Sequence, residues 1–509
     1  MENKLTEISR ENGLSSLAKG SGLYAIAKTL NILSGFIAFG LLARNFTPDE
    51  FGNLEFLFTA IIFIANTSIF GQDQAVGRLI NDPIEKSERK KIANHGFLIQ
   101  IMYSFFLISL IYLIFSFLIP LNNSIFSSYS NLTFIIFLIQ IPFLVVINAG
   151  LGLLQWSSSR RYYAFLSVIS YIIPTLLLFF TLPRSSLSIS QVLTLYLSSR
   201  FIVALVSIIL CSKKSFLENL FLVEIKLIRR LIIFAIPLGL VVMLETFSPL
   251  IQRILIKSVL SDYDLGLFAL AYKISSIILV IGSAFSAAWG PIYLNSYKDP
   301  KSKDSFIFIF KIVILISSIS ITLLSLFSSN LINFLGSKEY TSAYTLILPL
   351  SIGLTIEIIN DITGIGFFIS KKIFYFTISY ILFIFSFIGI FLFLSPIYGV
   401  SSIGFSILLS YIIKNLFITI FSNRLFYVNW PYPLAIFSLS TSFLVSFLAN
   451  QYDPYLFLTH KILIFIIGFF IISTIFFGGL TKSELKILIK TSKSLRRRIN
   501  LLFSLFLKN

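Results

Sequence analysis

The sequence predicts an all-α polytopic membrane protein with about fourteen transmembrane helices, and three observations carry that prediction. The 509-residue chain is 56% hydrophobic and only 12% charged, with 56 phenylalanines. Soluble domains carry about 25% charged residues, so this composition needs lipid around it. The apolar residues also gather into fourteen segments, most of them near the ~20 residues a helix needs to cross a bilayer. Finally, the cations are sorted. Of 40 Lys and Arg, 29 fall in the termini and alternate connecting segments, 5 in the other connections and 6 inside apolar segments. Such a positive-inside bias places both termini in the cytoplasm and makes the number of crossings even.

The segments lie near 22–42, 54–72, 96–119, 132–154, 163–182, 190–211, 231–256, 266–291, 306–328, 343–369, 373–394, 400–421, 434–449 and 461–480. The stretch 1–21 before them is polar with mixed charge, which is unlike a cleaved signal and reads as a cytoplasmic segment. Residues 212–230 form a basic cytoplasmic linker between a six-helix lobe at 22–211 and a second at 231–421. Two further helices occupy 422–480, the first of them short and preceded by "NWPYP". The tail 481–509 contains "ELKILIKTSKSLRRRINLLFSLF", a basic amphipathic helix suited to the inner leaflet. The connections on the outer side are all short. Pro174, Pro237, Pro249 and Pro349 mark kinks in segments 5, 7 and 10, and "GIGFF" (364–368) gives segment 10 a flexible lower half.

The two lobes read as copies of one unit. "ARNFTPDEFGNLEF" (43–56) follows segment 1, and "KSVLSDYDLGLFAL" (257–270) follows segment 7. In each, a cation precedes Thr or Ser, an acid follows three residues later, and Gly two after that. Thr47 with Glu50 and Ser261 with Asp264 read as capping boxes opening segments 2 and 8. Gly52 and Gly266 are 214 positions apart, as are Arg200 and Lys414, while "SRRYYAF" (159–165) and "SKKIFYF" (370–376) are 211 apart. Three places with nearly one offset indicate parallel repeats, an arrangement found in secondary transporters with the site between the halves.

Several chemistries are excluded by what is missing. No GxxxxGK[ST] loop exists for phosphate binding. No His, Cys or acid cluster has metal-ligand spacing, and no serine-triad motif occurs. The single cysteine, Cys211, permits no intrachain disulfide. The formal charge of +18 is explained by topology and attraction to anionic lipid headgroups, without nucleic acid. The chain reads as a transporter and not as an enzyme.

Ionisable residues inside apolar segments are expensive and usually face a bundle interior or wet cavity. Arg200 lies near the middle of segment 6 and cannot easily escape, and Lys273 lies about two turns from the outer end of segment 8. Lys28, Arg253 and Lys414 lie within two turns or so of an interface, and Arg44 stands at the outer end of segment 1 as a guard of the mouth. Lys311, a turn and a half into segment 9, is expected to snorkel. Lys28, Arg44, Arg200, Arg253, Lys273 and Lys414 are therefore the candidate wall of a cationic cavity. Such a wall lowers the barrier for a diphosphate, whose charge would otherwise be prohibitive in hydrocarbon. Glu245 in segment 7 and Glu357 and Asp361 in segment 10 either partner these cations or take up a coupling ion. Glu357 and Asp361 are four apart and share one helix face.

The sequence resembles the Wzx-type flippases for O-antigen repeat units, in the multidrug/oligosaccharidyl-lipid/polysaccharide (MOP) exporter superfamily. The resemblance is carried by "LLARNFTPDEFGNLEF" (41–56), "GQDQAVGRLI" (71–80), "ALAYKISSIILVIGSAFSAAWGPIY" (269–293) and "LGSKEYTSAYTLILPL" (335–350), and by the 6 + 6 + 2 arrangement. It implies a V-shaped bundle in the bacterial inner membrane and a substrate of undecaprenyl diphosphate bearing an oligosaccharide, moved by alternating access. It also implies basic residues on the first and eighth spans lining the headgroup cavity, matched here by the spans of Lys28 and Lys273. Membrane lipids are implied partners, as are a polysaccharide polymerase and a chain-length regulator. No cofactor is expected, and a proton or sodium gradient is the expected energy source. The competing readings are a multidrug or cation exporter of the same superfamily and a flippase for the peptidoglycan precursor. The first would favour an acidic or aromatic cavity. The second shares the diphosphate chemistry and differs in the sugar.

Overall fold

The computed structural model describes residues 26–80, 86–118, 129–157, 159–182, 187–214, 216–217, 224–282, 302–452, 458–481 and 484. Among the described residues no strand occurs, and fourteen helices are long and apolar enough to cross a membrane. The first lobe contains α1 (Ile26–Asn45), α2 (Pro48–Leu79), α3 (Ser87–Phe117), α4 (Asn131–Trp156), α5 (Arg160–Thr181) and α6 (Ile189–Lys213). The second contains α7 (Ile225–Val259), α8 (Asp262–Gly282), α9 (Ser302–Leu326), α10 (Lys338–Ile369), α11 (Phe374–Tyr398) and α12 (Ser401–Leu425). The pair α13 (Tyr432–Ala449) and α14 (Thr459–Phe476) completes the bundle. The segment 1–21, nearly all of the tail and the part of the eighth apolar segment beyond Gly282 lie outside the described residues.

These helices are apolar almost all round, because lipid and bundle interior both accept apolar side chains. Phe51, Phe56, Phe137, Phe268, Phe306 and Phe310 are fully buried, while Phe117, Phe385 and Phe393 are at least 70% exposed on the bilayer side. Small residues mark where helices pack closely. Ser438, Ser442 and Ser446 form a buried stripe on α13, and the Ser442 hydroxyl donates to the Ser318 carbonyl of α9 at 3.0 Å. The short thirteenth segment is thus fastened to the second lobe.

The capping box at α2 is complete: the Glu50 N–H donates to Thr47 Oγ1 at 3.4 Å, and the Thr47 N–H donates to Glu50 Oε2 at 3.2 Å. At α8 only half forms. The Asp264 N–H donates to Ser261 Oγ at 3.1 Å, and the Ser261 hydroxyl donates to the Asp264 carboxylate at 2.7 Å. The glycine of each motif has a further role. A Cβ on Gly52 would lie 2.3 Å from the Asp262 carbonyl oxygen, and one on Gly266 would lie 2.0 Å from that of Pro48. The first turns of α2 and α8, equivalent in the repeat, are in backbone contact across the two lobes.

That crossing lies at the end of the bundle opposite the basic connections, and polar contacts fasten it. Asn53 donates to Asp262 Oδ2 at 3.0 Å and accepts from Lys257 Nζ at 2.6 Å and from Tyr129 Oη at 2.8 Å. Lys257 also pairs with Asp262 at 2.5 Å. The Tyr340 hydroxyl donates to the Phe46 carbonyl at 3.1 Å. Near the basic end α2 bends at Phe70 and Gly71, both left-handed (φ 41° and 70°). There a Cβ on Gly239 of α7 would meet the Phe70 carbonyl oxygen at 2.6 Å. The lobes therefore touch at both ends of α2.

Three expectations change. Lys311 does not snorkel: it is 5% exposed, and Nζ donates to both Glu484 oxygens at 2.9 and 3.0 Å and to the Gly479 carbonyl at 2.8 Å. The chain just past α14 brings a carboxylate to it. Helix α7 begins at Ile225, so Lys226, Arg229 and Arg230 stand on its first turns and not in a linker reaching 230. The glycines of "GIGFF" serve close packing: the Gly366 N–H donates to Ser422 Oγ at 3.0 Å, and a Cβ there would meet the Ser422 carbonyl oxygen at 2.4 Å.

Candidate functional site between the lobes

The six predicted cations fall into different settings. Arg44, exposed at the end of α1, donates to the Phe334 carbonyl and lies 5.4 Å from the Phe334 ring, in the short helix Ser328–Leu335 of the other lobe. It is one more fastener of the closed end. Arg200 of α6 is tied within its own lobe: Nη1 donates to Gln140 Oε1 of α4 at 2.6 Å, and the guanidinium lies 5.6 Å from the Tyr196 ring. Arg253 of α7 is 5% exposed. It reaches Glu55 of α2 at 3.6 Å, donates to the Pro249 carbonyl at 3.2 Å, and stands against the rings of Phe268 and Tyr272. Glu55 is a residue the sequence reading missed. Its position, three after Gly52 inside the α2 motif, is the only signal that pointed to it.

Lys414 of α12 is 2% exposed and belongs to a buried cluster. Nζ donates to both oxygens of Glu357 on α10, at 2.7 and 2.9 Å, and lies 3.6 Å from the centre of the Tyr380 ring of α11. Glu357 also accepts from Asn360 at 2.8 Å and from the Tyr380 hydroxyl at 3.4 Å, and Asn415 braces Asn360 at 2.8 Å. This cation is neutralised, so it contributes no free charge to a cavity wall. Glu245 and Asp361 are exposed and lie within electrostatic range of the pair. The three predicted acids and Lys414 thus form one group inside the second lobe, drawn from α7, α10 and α12, with Tyr380 of α11 against the cation. Tyr380, the ring nearest the cation, carried no motif in the sequence.

The ammonium groups of two predicted cations, Lys273 and Lys28, have no hydrogen-bond or ion-pair partner among the described residues. Lys273 of α8 is half-buried, with Nζ 5.2 Å from the Phe36 ring and 5.5 Å from the Phe39 ring of α1. Gly35 lies on the same side of α1: a Cβ there would be in ordinary contact with Nζ, at 3.8 Å. Lys28 is exposed. It precedes Gly35 by seven residues, which on an α-helix is the same face about 10 Å along the axis. Lys28 therefore lies on the stripe of α1 that faces Lys273 of α8, at the seam between the lobes. Among the described residues no group of His, Cys, Asp and Glu could hold a metal ion.

The family model for polysaccharide biosynthesis proteins matches residues 17–297, more than half of the chain. The chain belongs to the polysaccharide biosynthesis protein family. Solved structures place the fold of this family member. A lipid II flippase, MurJ in an inward closed conformation, superposes with a TM-score of 0.68 at 18% identity, covering 89% of this chain and 98% of that one. An inward-facing multidrug resistance MATE transporter of the MOP superfamily gives 0.61 at 14% identity, covering 77% and 94%. An outward-facing MATE transporter gives 0.55 at 14% identity, covering 79% and 94%. No curated protein matches the chain. The polysaccharide biosynthesis protein thus has a MurJ/MATE-like, wholly helical membrane fold.

Proposed function

We propose that this protein flips undecaprenyl-diphosphate-linked oligosaccharide repeat units, of O-antigen or a similar surface polysaccharide, from the inner to the outer leaflet of the bacterial inner membrane. Both termini are cytoplasmic in this reading, and the basic end of the bundle faces the cytoplasm. The observation that carries it is the pair of lysines facing each other across the seam, Lys28 on α1 and Lys273 on α8, neither of whose ammonium groups has a hydrogen-bond or ion-pair partner among the described residues. Four other candidate cations have found protein partners. These two are left to meet a diphosphate, and the family supplies the polysaccharide context. Movement is by alternating access, with the headgroup between the lobes and the polyprenyl chain in the bilayer. No catalytic chemistry or cofactor is needed. A polysaccharide polymerase and a chain-length regulator are the proposed downstream partners.

The acidic group gives the coupling step. Glu357 is committed to Lys414, whereas Glu245 and Asp361 hold no ion pair among the described residues. Uptake of a proton or sodium ion by this group would loosen Glu357 from Lys414 and shift α10 against α12. A cation-exporter reading draws on the same acids, but it leaves Lys273 without a role.

The test is deletion in the native host, followed by assay of surface polysaccharide and of lipid-linked oligosaccharide in each leaflet. Repeat units trapped on the cytoplasmic side, restored by the wild type but not by Lys273→Gln at equal membrane abundance, are expected. Intact glycan with new sensitivity to cationic drugs would move the protein to the exporter branch.

A further inference from the structure

Where the chain leaves α10 and enters α11, it turns beside the start of α7. Lys226, Arg229, Arg230, Lys371 and Lys372 together with Ile233, Phe234, Pro237, Leu238, Ile373 and Phe374 line a cavity of about 750 Å³ there. None of its lining residues comes from α1 or α8. All five cations are exposed, and none has an ion-pair partner among the described residues.

The arrangement along α7 is graded. Residues 226, 229, 230, 233, 234 and 237 recur at helical spacing and so share one face. The first turn and a half of that face is cationic, and the next two turns are apolar. A helix rises 1.5 Å per residue, so the charges occupy roughly the first 6 Å and the apolar wall about the next 12 Å. The opposite wall repeats the grading, from Lys371 and Lys372 to Ile373 and Phe374.

The turn itself is built at a cost. The Lys372 N–H donates to the Phe367 carbonyl at 2.8 Å and the Lys371 N–H to that of Phe368 at 3.1 Å. This is the Schellman pattern, whose left-handed residue is usually glycine. Here that residue is Lys371, at φ 56°. A side chain in that conformation costs roughly 1–2 kcal/mol. The strained residue is one of five exposed cations that line the cavity together.

We propose that this pocket binds a lipid carrying two phosphates, with the phosphates on the five cations and a hydrocarbon chain along Ile233, Phe234 and Phe374. Basic pockets between transmembrane helices take such headgroups, and two phosphates match a divided cluster better than one. The chemistry fits a membrane diphosphatidyl lipid and a polyprenyl diphosphate alike. The site goes beyond the transport reading, because it would persist if the protein moved another substrate.

The experiment uses the purified full-length protein in nanodiscs, with native mass spectrometry of bound lipid. The probes are cardiolipin, undecaprenyl diphosphate and phosphatidylethanolamine. At least one diphosphoryl lipid should bind tenfold or more above phosphatidylethanolamine. Arg229→Gln/Arg230→Gln and Lys371→Gln/Lys372→Gln should each weaken that binding tenfold. Cardiolipin alone marks a resident lipid; undecaprenyl diphosphate alone, or displacing cardiolipin, marks a loading site. Lys371→Gly separates binding from folding: it relieves the left-handed turn, so the melting temperature should hold or rise while binding falls several-fold. Binding unchanged in the variants, or no preference in the wild type, overturns the proposal.

Discussion

Replacing Gly52 by alanine should open the end of the bundle opposite its basic connections. The added methyl would sit 2.3 Å from the Asp262 carbonyl oxygen, 2.7 Å from the Gly266 nitrogen and 3.2 Å from Leu265 Cβ. All three neighbours are backbone or Cβ atoms of α8, so no rotamer change relieves them. Ordinary contact begins at 3.4 Å, so the two helices must part by about 1 Å. Overpacking of this kind costs roughly 1–3 kcal/mol. Because the strained contact joins the two lobes, that cost falls on the state closed here and not on one open here. A bias of this size shifts the balance about 5- to 150-fold. The assay is dipolar broadening between spin labels at Asn45 and Glu339, which are exposed on opposite lobes at this end, in a Cys211→Ala background. Wild type should give one short distance, and Gly52→Ala a second, longer population. Gly266→Ala should do the same, since its methyl would meet Pro48. An unchanged distance distribution with an unchanged melting temperature would refute the claim that this crossing holds the end shut.

Other consequences can be measured directly. Lys414→Met alone should destabilise the detergent-solubilised protein by about 3 kcal/mol, the lower end for a broken buried pair, because it strands Glu357 in a half-buried site, and Lys414→Met/Glu357→Leu should recover most of that; a double variant as unstable as the single would show that the pair is not a closed unit. Replacing Glu245 or Asp361 by its amide should abolish the dependence of transport on the ion gradient, whereas unchanged dependence would return both to a structural role. Burial pushes the Glu484 carboxyl up, but the Thr481 N–H and the Lys311 ammonium outweigh it and hold the group below its ordinary value. Its contribution is therefore present above the ordinary carboxylate range, near ~4.3, and is lost as pH falls through the depressed value. Thermal melts between pH 6 and 3 should lose that acid-dependent component in Glu484→Gln; an identical slope would contradict it.

The elements of this bundle were legible because their signals are local. Span length, cation sorting and the repeat offset all survive without tertiary information, and so did the box at Thr47 and the pairing of Gly52 with Gly266 as equivalent positions. What was illegible is rotational phase. In a soluble helix the apolar stripe tells which side is buried. In α6, α7 or α12 both sides are apolar, and the sequence does not say whether Arg253 faces a wet cavity or, as it does, Glu55 and two aromatic rings. Lys414 and Glu357 are 57 residues apart, and the Asn53–Asp262–Lys257–Tyr129 cluster spans both lobes. Contacts at such separations have no period to read. Lys311 failed for another reason: its depth was legible, but its partner came from beyond α14.

The sorting of the cations answers why a membrane protein keeps so many. A central lysine costs about 2.5–3.5 kcal/mol to insert. Lys414 offsets this with two carboxylate contacts and a ring, and Lys311 with a carboxylate and a carbonyl. For both, a structural role accounts for the charge. Lys273 has weaker compensation: two phenylalanine rings beyond 5 Å and the longer-range charge of Glu55, which is itself paired with Arg253. Cation–π contacts contribute about 0.5–1 kcal/mol when exposed and about 2 when desolvated, which leaves part of the cost unmet. Glu55 is shared with Arg253, so water in the seam or an anion would supply the remainder. A hydrophobic substitution at Lys273 should therefore stabilise the protein while stopping transport, the reverse of its effect at Lys414. Thermal melts of Lys273→Met beside Lys414→Met separate the two cases, and a loss of stability at position 273 would mean that its charge has a protein partner after all.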